Sequence, residues 1–594
     1  AMVTAFLEYE FLKGLTFSAS GNIDYSQSNL NKYTPGVFDE YHNESKSEGN
    51  IGRQVMLSSE ELLHYNASVN DVHNIDVLLG VNTNKEQAFS MYGYGLRGVS
   101  DDVYYYNPQK VPPVVNHGTP EFPDYAATRY YSSDFTEKRM VSYFGRLGYN
   151  YKQRYLLEFT FRRDGSSTFG EGNRWANFPS VAVGWSFSEE PFIKRLTGGW
   201  LNWGKIRGSY GKSGQTFTSA YLAHGLMNIM DKSFFGKTGI TTDKPVSPYL
   251  TWEKTRQYDL GLDMDMFNYR LNVKLDYYYK YTSSLIYDIP IPGSLYAFGA
   301  QVENAMEISN EGLELELQAD ILRESAVSWR MKFNMARNWN RFEKSYSGKD
   351  VVDGDGTLLV VGRPLNGLYV WAHRGYYNSD AEVPRLYKID GQEIYFNGVA
   401  TNGISGAVGD YRLLDLDGDG NPDSYYAGSP LPLAHGGWVN ELMWKNFDLN
   451  VLVNFTIGRK MINNRMGLGF SRQSEDGHLT KLFDYRKLRP WDGVNKKPNA
   501  PAWGNSLSMN TDSAIEKVHH LALKQITLGY NLPDRISKKA GLSGVRFFLT
   551  AENLFYLSNY SGGNPEVVNI YTGRDNGDTY PLPRKYTLGL TLNF

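Results

Sequence analysis

Apolar and polar side chains alternate with a period of two along much of the chain, the signature of strands whose two faces meet different surroundings. Across 271–281 the odd positions carry Leu271, Val273, Leu275, Tyr277, Tyr279 and Tyr281; the even ones carry Asn272, Lys274, Asp276, Tyr278 and Lys280. Leu313, Leu315, Leu317, Ala319 and Ile321 oppose Glu314, Glu316, Gln318 and Asp320 in the same way. Val327, Trp329, Met331, Phe333 and Met335 oppose Ser328, Arg330, Lys332 and Asn334. Segments 155–161, 181–187, 258–266 and 447–457 repeat the pattern. A soluble sandwich also alternates. These strands, however, run to about ten residues where globular strands average about five or six. Their polar faces are charged or strongly polar at nearly every position, as the wall of a wet lumen should be. The final segment sets Tyr586, Leu588, Leu590, Leu592 and Phe594 on one face without a fault and ends on an aromatic. The pattern predicts an all-β protein: a transmembrane, up-and-down antiparallel β-barrel.

Connection lengths point the same way. Short turns near 12–14, 69–73, 150–154, 267–270, 322–326 and 444–447 alternate with long loops near 26–50, 93–136, 212–254, 282–306, 378–431 and 459–515. Outer-membrane barrels combine short periplasmic turns with long extracellular loops. The stretch 343–377 breaks this parity unless it holds two short strands, roughly 357–362 and 367–377, or none. The chain then has about 19 strands or about 17, and 19 is the preferred count. The first strand, about 2–12, runs towards the periplasm in this scheme, so an odd number of strands is expected upstream. An open edge would leave backbone groups without partners in lipid. No signal peptide stands at Ala1-Met2-Val3, which an exported barrel needs. Residues 1–594 are therefore expected to be the C-terminal majority of a longer protein.

Composition agrees. Of the 594 residues 41% are apolar, and mean hydropathy is −0.46. The 44 Tyr, 30 Phe and 12 Trp crowd predicted strand ends, as at Tyr277–Tyr279, Phe555–Tyr556, Trp438 and Trp444, where interfacial girdles belong. No run of about 18 apolar residues exists to span a bilayer as a helix. With Lys+Arg 61 against Asp+Glu 64 and no basic block, a nucleic-acid partner is disfavoured. The absence of cysteine excludes a disulfide scaffold, thiolate zinc sites and Cys nucleophiles. There is no nucleophile-elbow motif and no marked acid–base carboxylate pair, so no enzyme is expected.

Arg154–Gly170 (RYLLEFTFRRDGSSTFG) resembles the R-x-DGSS-x-F stretch of SusC-like TonB-dependent transporters of Bacteroidetes. It continues through Asn177-Phe178-Pro179-Ser180 to Gly184-Trp185 and Ser188-Glu189-Glu190-Pro191-Phe192, as that family does. Lys205–Gly211 (KIRGSYG), Thr251–Thr255 (TWEKT), Asn310–Leu315 (NEGLEL), Leu523–Tyr530 (LKQITLGY) and Ala551–Phe555 (AENLF) follow in order. The resemblance runs from about residue 3 to Phe594. It implies a 22-stranded barrel, plugged by an N-terminal domain that this chain lacks and capped by a SusD-like surface lipoprotein. It further implies active import of an oligosaccharide, or a peptide, across the bacterial outer membrane with energy relayed by TonB. A siderophore receptor of the same fold, or a passive or structural barrel, is the alternative.

The sharpest local motif is Asp415, Asp417, Asp419, Asn421 and Asp423 around Gly420. Acidic groups at every second position with a glycine at the tight turn meet the needs of an EF-hand-type Ca²⁺ loop. Position twelve is Tyr426 rather than a bidentate Glu, so Asp423 would supply the later ligand. Asp353-Gly-Asp355-Gly356 reads as a plain turn. His373 and His519-His520 have no partners at metal-ligand spacing and read as structural. For ligand binding the candidates are Tyr92, Tyr94, Tyr104, Tyr105 and Tyr106, whose rings could stack on sugar faces. Asp101 and Asp102 could accept from hydroxyls, and Tyr130 and Tyr131 stand near the far end of the same loop.

Overall fold

The computed structural model describes residues 1–38, 45–96, 114–116, 125–127, 129–216, 219–225, 227–234, 237–242, 245–296, 298–352, 358–383, 385–387, 393–395, 408–416, 423–464, 489–494, 497–502, 511–577 and 579–594. Among the described residues the main sheet has eighteen strands. One is a two-residue piece, Arg574–Asp575, added in parallel, which leaves seventeen in the up-and-down series. These are β1 (Met2–Leu12), β2 (Leu15–Thr34), β3 (Lys46–Val69), β4 (His73–Leu96), β5 (Arg129–Tyr151), β6 (Tyr155–Ser166), β7 (Trp175–Trp185), β8 (Leu201–Gln215) and β9 (Glu253–Met266). They continue with β10 (Leu271–Pro290), β11 (Ala300–Leu322), β12 (Val327–Lys344), β13 (Ala434–Trp444), β14 (Phe447–Asn463), β15 (Ile515–Asn531), β16 (Gly544–Ser558) and β17 (Lys585–Asn593). No helix among the described residues is long and apolar enough to cross a membrane.

Of the two expected counts, 19 and 17, the described residues hold seventeen. In the stretch 343–377, Val351–Val352 pairs with Leu358–Leu359, Leu368–Trp371 with Ser424–Gly428, and His373–Tyr376 with Tyr411–Leu413. These pieces have two to five residues, whereas a transmembrane strand needs about 9–11. They are small sheets internal to the connection between β12 and β13. Short apolar runs look alike in either setting. The long strands also run further than alternation suggests: β3 and β4 have 24 residues each, and 26–34, 46–50 and 129–136 are strand rather than loop. Beyond the hydrocarbon both faces meet water, so the period-two signal fades while the backbone ladder continues.

One compact unit comprises Ala1–Trp185, Gly208–Gln257 and Thr282–Met306. Within it β3 and β4 pair without a register shift from Lys46↔Leu96 to Val69↔His73, and β4 pairs with β5 from His73↔Tyr151 to Gly95↔Arg129. Leu79 is 55% exposed on the apolar face, the condition of a side chain whose solvent is lipid. On the opposite parity Asp76 is held by Arg146 at 2.8 Å and His64 at 2.5 Å. Three of the family-like motifs meet in one small core. Phe169 and Phe178 pack on Trp252 with ring centroids 4.9 and 5.6 Å away, and Trp252 Nε1 donates to the Arg174 carbonyl at 3.1 Å.

The second unit comprises Ser186–Arg207, Tyr258–Tyr281 and Glu307–Phe594. Its polar face carries a ladder of ion pairs. Arg330 meets Asp320 at 2.6 Å, Lys332 meets Glu441 at 2.8 Å and Arg546 meets Asp448 at 2.5 Å. Arg207 sits between Asp263 and Asp276 at 3.0 and 2.5 Å. Pairs on a wet face each contribute roughly 0–1 kcal/mol; they neutralise the wall more than they stabilise it.

The tight turns that join long strands use the left-handed region, which matches strand twist. Asn70 and Asp71 have φ of 53° and 55°, and Lys152 and Gln153 have 54° and 55°. Asn and Asp tolerate this conformation; Lys and Gln are strained there. Replacing Lys152-Gln153 by Asn-Gly is expected to stabilise the barrel by about 1 kcal/mol, read as a higher urea midpoint for folding into detergent micelles.

Candidate functional site

In the second unit the connection that follows β16 turns back over the polar face of β14 and β15, held by a clamp built into a bulge. Gly458 adopts φ 73°, and the β14–β15 register shifts between Thr456 and Arg459, so the extra residue re-aims the next side chain. Arg459 is 5% exposed. Its Nη1 donates to the Pro565 carbonyl at 3.1 Å, and its Nη2 donates to the carbonyls of Val568 and Asn569 at 2.9 and 2.8 Å.

Further contacts shape the segment. Asn564 Oδ1 accepts the Glu566 N–H and caps a short helical turn. Tyr560 OH donates to Asp575 at 2.7 Å, and Ile462 N–H donates to the Gly573 carbonyl at 2.8 Å. Met461, Val518, Tyr560 and Val568 form an apolar plug behind it. Glu566 faces Lys524 Nζ at 3.2 Å and His520 Nε2 at 3.8 Å. His520 foremost, with Lys524, holds its carboxyl below the usual glutamate value against the opposing effect of burial.

Between this segment and the strands lies a cavity of about 630 Å³. Its wall includes Glu316 and Lys332 on neighbouring strands, then His435, Asn454, Arg459 and His520, with Glu566, Val568 and Ile570 from the overlying segment. The lining mixes charged, amide and aliphatic groups. This suits a polar ligand that also has apolar faces.

The sequence-based candidates fall differently. Tyr92 and Tyr94 lie on the parity of β4 that carries Asp76 and form a cluster with Tyr130, ring centroids 5.5–6.1 Å apart. Tyr92 OH donates to Glu48 at 2.5 Å, and Lys46 Nζ lies 2.8 Å from Glu48 and 4.5 Å from the Tyr94 ring centre. The tyrosines are thus braced by one another and by an ion pair. Tyr131 is 65% exposed. Asp101, Asp102, Tyr104, Tyr105 and Tyr106 lie outside the described residues, as do Asp417, Asp419 and Asn421. Asp415 is exposed. Asp423 Oδ2 accepts the Leu416 N–H at 2.5 Å, and Asp423 N–H donates to the Leu414 carbonyl at 2.9 Å, which closes the ends of the acidic loop on each other.

His373 Nδ1 hydrogen-bonds Asp512 and its ring stands edge-on to Tyr411; burial pushes the Tyr411 and Tyr376 hydroxyls up. It is satisfied structurally, as its sequence setting suggests. Arg459 and Glu566 carried no recognised signal. The one available clue was Gly458 inside an alternating strand, a frequent mark of a bulge.

A family model described as TonB dependent receptor-like, beta-barrel matches residues 2–427. The chain belongs to that family. Its place is accordingly the bacterial outer membrane, and the SusC-like resemblance of its motifs is borne out. It is 27% identical to a TonB-dependent receptor of Formosa agariphila over 99% of this chain and 57% of that protein. A second receptor from that organism is 30% identical over 90% of this chain and 53% of its own length. The TonB-dependent receptor SusC of Bacteroides thetaiotaomicron is 29% identical over 80% of this chain and 45% of its length. The chain thus spans about half the length of the curated relatives it matches. The structure of the RagAB peptide transporter aligns with a TM-score of 0.81 at 22% identity, covering 100% of this chain and 61% of that one; it shares the fold.

Two outcomes test the clamp. Arg459→Met keeps the stem but strands three carbonyls, each costing about 1–3 kcal/mol if left unpaired. Hydrogen exchange in 559–577 is expected to rise at least about tenfold, with β3–β5 unchanged. Glu566→Gln should loosen the same segment at neutral pH. Because the folded carboxyl titrates below its ordinary value, its stabilisation is full above that ordinary value and fades as pH falls through the lowered one. Wild type and variant should therefore converge in acid.

Proposed function

We propose that the chain is the barrel part of a TonB-dependent importer of a nutrient oligomer, an oligosaccharide in the first place and a peptide in the second. It works with a SusD-like surface lipoprotein and takes energy through TonB by way of a plug not contained in residues 1–594. The observation that carries this reading is the family match over residues 2–427 together with the cavity of mixed charged, amide and aliphatic lining on the charged face of the sheet. A lumen wall of paired charges and amides suits a hydrated, hydroxyl- or amide-rich cargo better than an apolar one. The peptide transport in the name of RagAB keeps the second cargo class open.

A structural Ca²⁺ in the loop Asp415–Asp423 is part of the proposal. Asp415, Asp417, Asp419, Asn421 and Asp423 would hold it through oxygen ligands, and the paired loop ends at Leu414 and Asp423 fit such a closed loop. The ion would stiffen the connection between β12 and β13.

Deletion of the full gene should abolish growth on the cognate glycan or peptide as sole source at limiting concentration, and loss of TonB should reproduce the defect. Growth that survives both deletions overturns the proposal, and retention of ferric-chelate uptake as the only affected phenotype would assign the barrel to siderophores. Separately, Asp417→Ala with Asp419→Ala should remove bound calcium from the purified complex, measured by elemental analysis after dialysis.

A further inference from the structure

On the lipid-facing parity of the first unit, cations stand where the hydrocarbon ends. A transmembrane strand takes about 9–11 residues to cross, and Tyr155–Arg163 of β6 uses up that length from the turn at 152–154. Arg163 shares the parity of the exposed Phe159 and Phe161, so it faces the bilayer at headgroup depth. Its guanidinium lies 5.3 Å from the Trp175 ring centre, and Tyr143 stacks on the same indole at 6.0 Å. Among the described residues it has no carboxylate partner. On the same parity Lys85 and Arg139 stand directly opposite each other on β4 and β5, where like charges repel. Glu137 answers both, at 3.3 and 2.6 Å, and one carboxylate for two cations leaves positive charge over. The second unit repeats the motif by itself: Arg337, on the apolar parity of Phe333 and Met335, lies 4.5 Å from the Trp339 ring centre.

These cations of the first unit border apolar grooves on the outer wall. Arg163 lines one of about 800 Å³ with Tyr143, Leu79, Leu147, Phe159 and Phe161. Lys85 and Arg139 line another of about 560 Å³ with Ile23, Leu57, Val141 and Gly21. Glu61 also lines the first groove. It stands in the cross-strand row Glu61–Val81–Tyr143–Arg163 and forms no ion pair with Arg163, from which three strand spacings, about 14 Å, separate it. Apolar grooves edged by unneutralised cations call for an occupant with acyl chains and an anionic head. A second copy of the chain fits poorly, because an isologous contact uses the same patch on both subunits and would bring two sets of these cations into one interface. A phosphate supplies the anion that the wall lacks, and Arg binds it through paired N–H donors.

We propose that the outer wall of β1–β6 is a binding site for an anionic, phosphorylated lipid of the outer leaflet. Arg163 on Trp175 and the pair Lys85–Arg139 hold its phosphate, and its acyl chains lie in the two grooves. The site is independent of any cargo in the lumen. It fixes the depth of the barrel at the rim opposite the short turns, where long loops leave the membrane.

The test uses the full-length receptor, delipidated in detergent and weighed intact by native mass spectrometry. Dioleoylphosphatidate, dioleoylphosphatidylcholine and the short-chain dihexanoylphosphatidate are added in turn. Dioleoylphosphatidate should be retained in preference to the other two. The triple change Lys85→Gln, Arg139→Gln and Arg163→Gln should lower its retention at least about tenfold. A Cβ at Gly21 meets nothing within 4 Å, so Gly21→Leu fills the groove without a clash and removes no cation. It should lower retention about fourfold, the worth of one displaced methylene. Heat-modifiable mobility on gels shows which variants are folded. Equal retention of phosphatidylcholine overturns the site, as does retention that the folded triple variant leaves unaltered. If the triple variant does not fold, unaltered retention by Gly21→Leu decides against the site. Dihexanoylphosphatidate held as tightly as the long-chain lipid overturns it too, since the grooves then hold no chains. A doubled mass that Gly21→Leu splits into single copies would show that a second chain, not a lipid, covers this wall.

Discussion

Backbone N–H and C=O groups inside hydrocarbon have only each other as partners. Everything else in this molecule is arranged around that requirement. It demands ladders without interruption across the membrane, and the β3–β4 and β4–β5 pairings meet it with no register shift over more than twenty residues. An unbroken ladder also locks side-chain parity along the whole strand. The parity that turns Val77 and Leu79 towards lipid turns Asp76 inwards, and many residues further on it turns Tyr92 and Tyr94 inwards too. The membrane thus orients side chains well beyond its own thickness.

Where the ladder is allowed to break, function has room. The bulge at Gly458 lies near the end of β14, the second of two register shifts against β15, the first falling between Leu452 and Val453. There it re-aims Arg459 into the connection after β16. A buried guanidinium without a carboxylate partner is normally expensive. Here three carbonyls share its charge, and the same bonds keep a long connection folded against the wall. The cavity exists because that connection is held close without filling the space beneath it.

The sequence motifs that mark the family turn out to be largely architectural. Phe169, Phe178 and Trp252 come from three separate motifs and converge on one core, Glu253 accepts the Ile286 N–H, and the Asn304 amide bridges Thr251 and Ser284. They fasten loop bases to strands. That explains why they were legible while the site was not: packing motifs recur in fixed order, whereas Arg459, His520 and Glu566 lie on different elements and share no spacing. The tyrosines were legible as residues but not as a cluster braced by Lys46 and Glu48, because that needs the register of three strands.

Alternation determined the fold class and the faces of β10, β11, β12 and β17, because a strand between lipid and water must change polarity at every residue, and strand length, charged polar faces and the alternation of short turns with long loops added the membrane setting. It could not settle the strand count. Residues 357–362 and 367–377 can be read as two short membrane strands, and only the pairings of Val351–Val352 with Leu358–Leu359, Leu368–Trp371 with Ser424–Gly428 and His373–Tyr376 with Tyr411–Leu413 show small sheets within a connection. Nor could it place the ends of β2 to β5, where both faces are wet and the period vanishes. The inward fold of 559–577 and the cavity beneath it were decided by tertiary structure alone. They depend on one bulge and one buried arginine meeting carbonyls more than a hundred residues away.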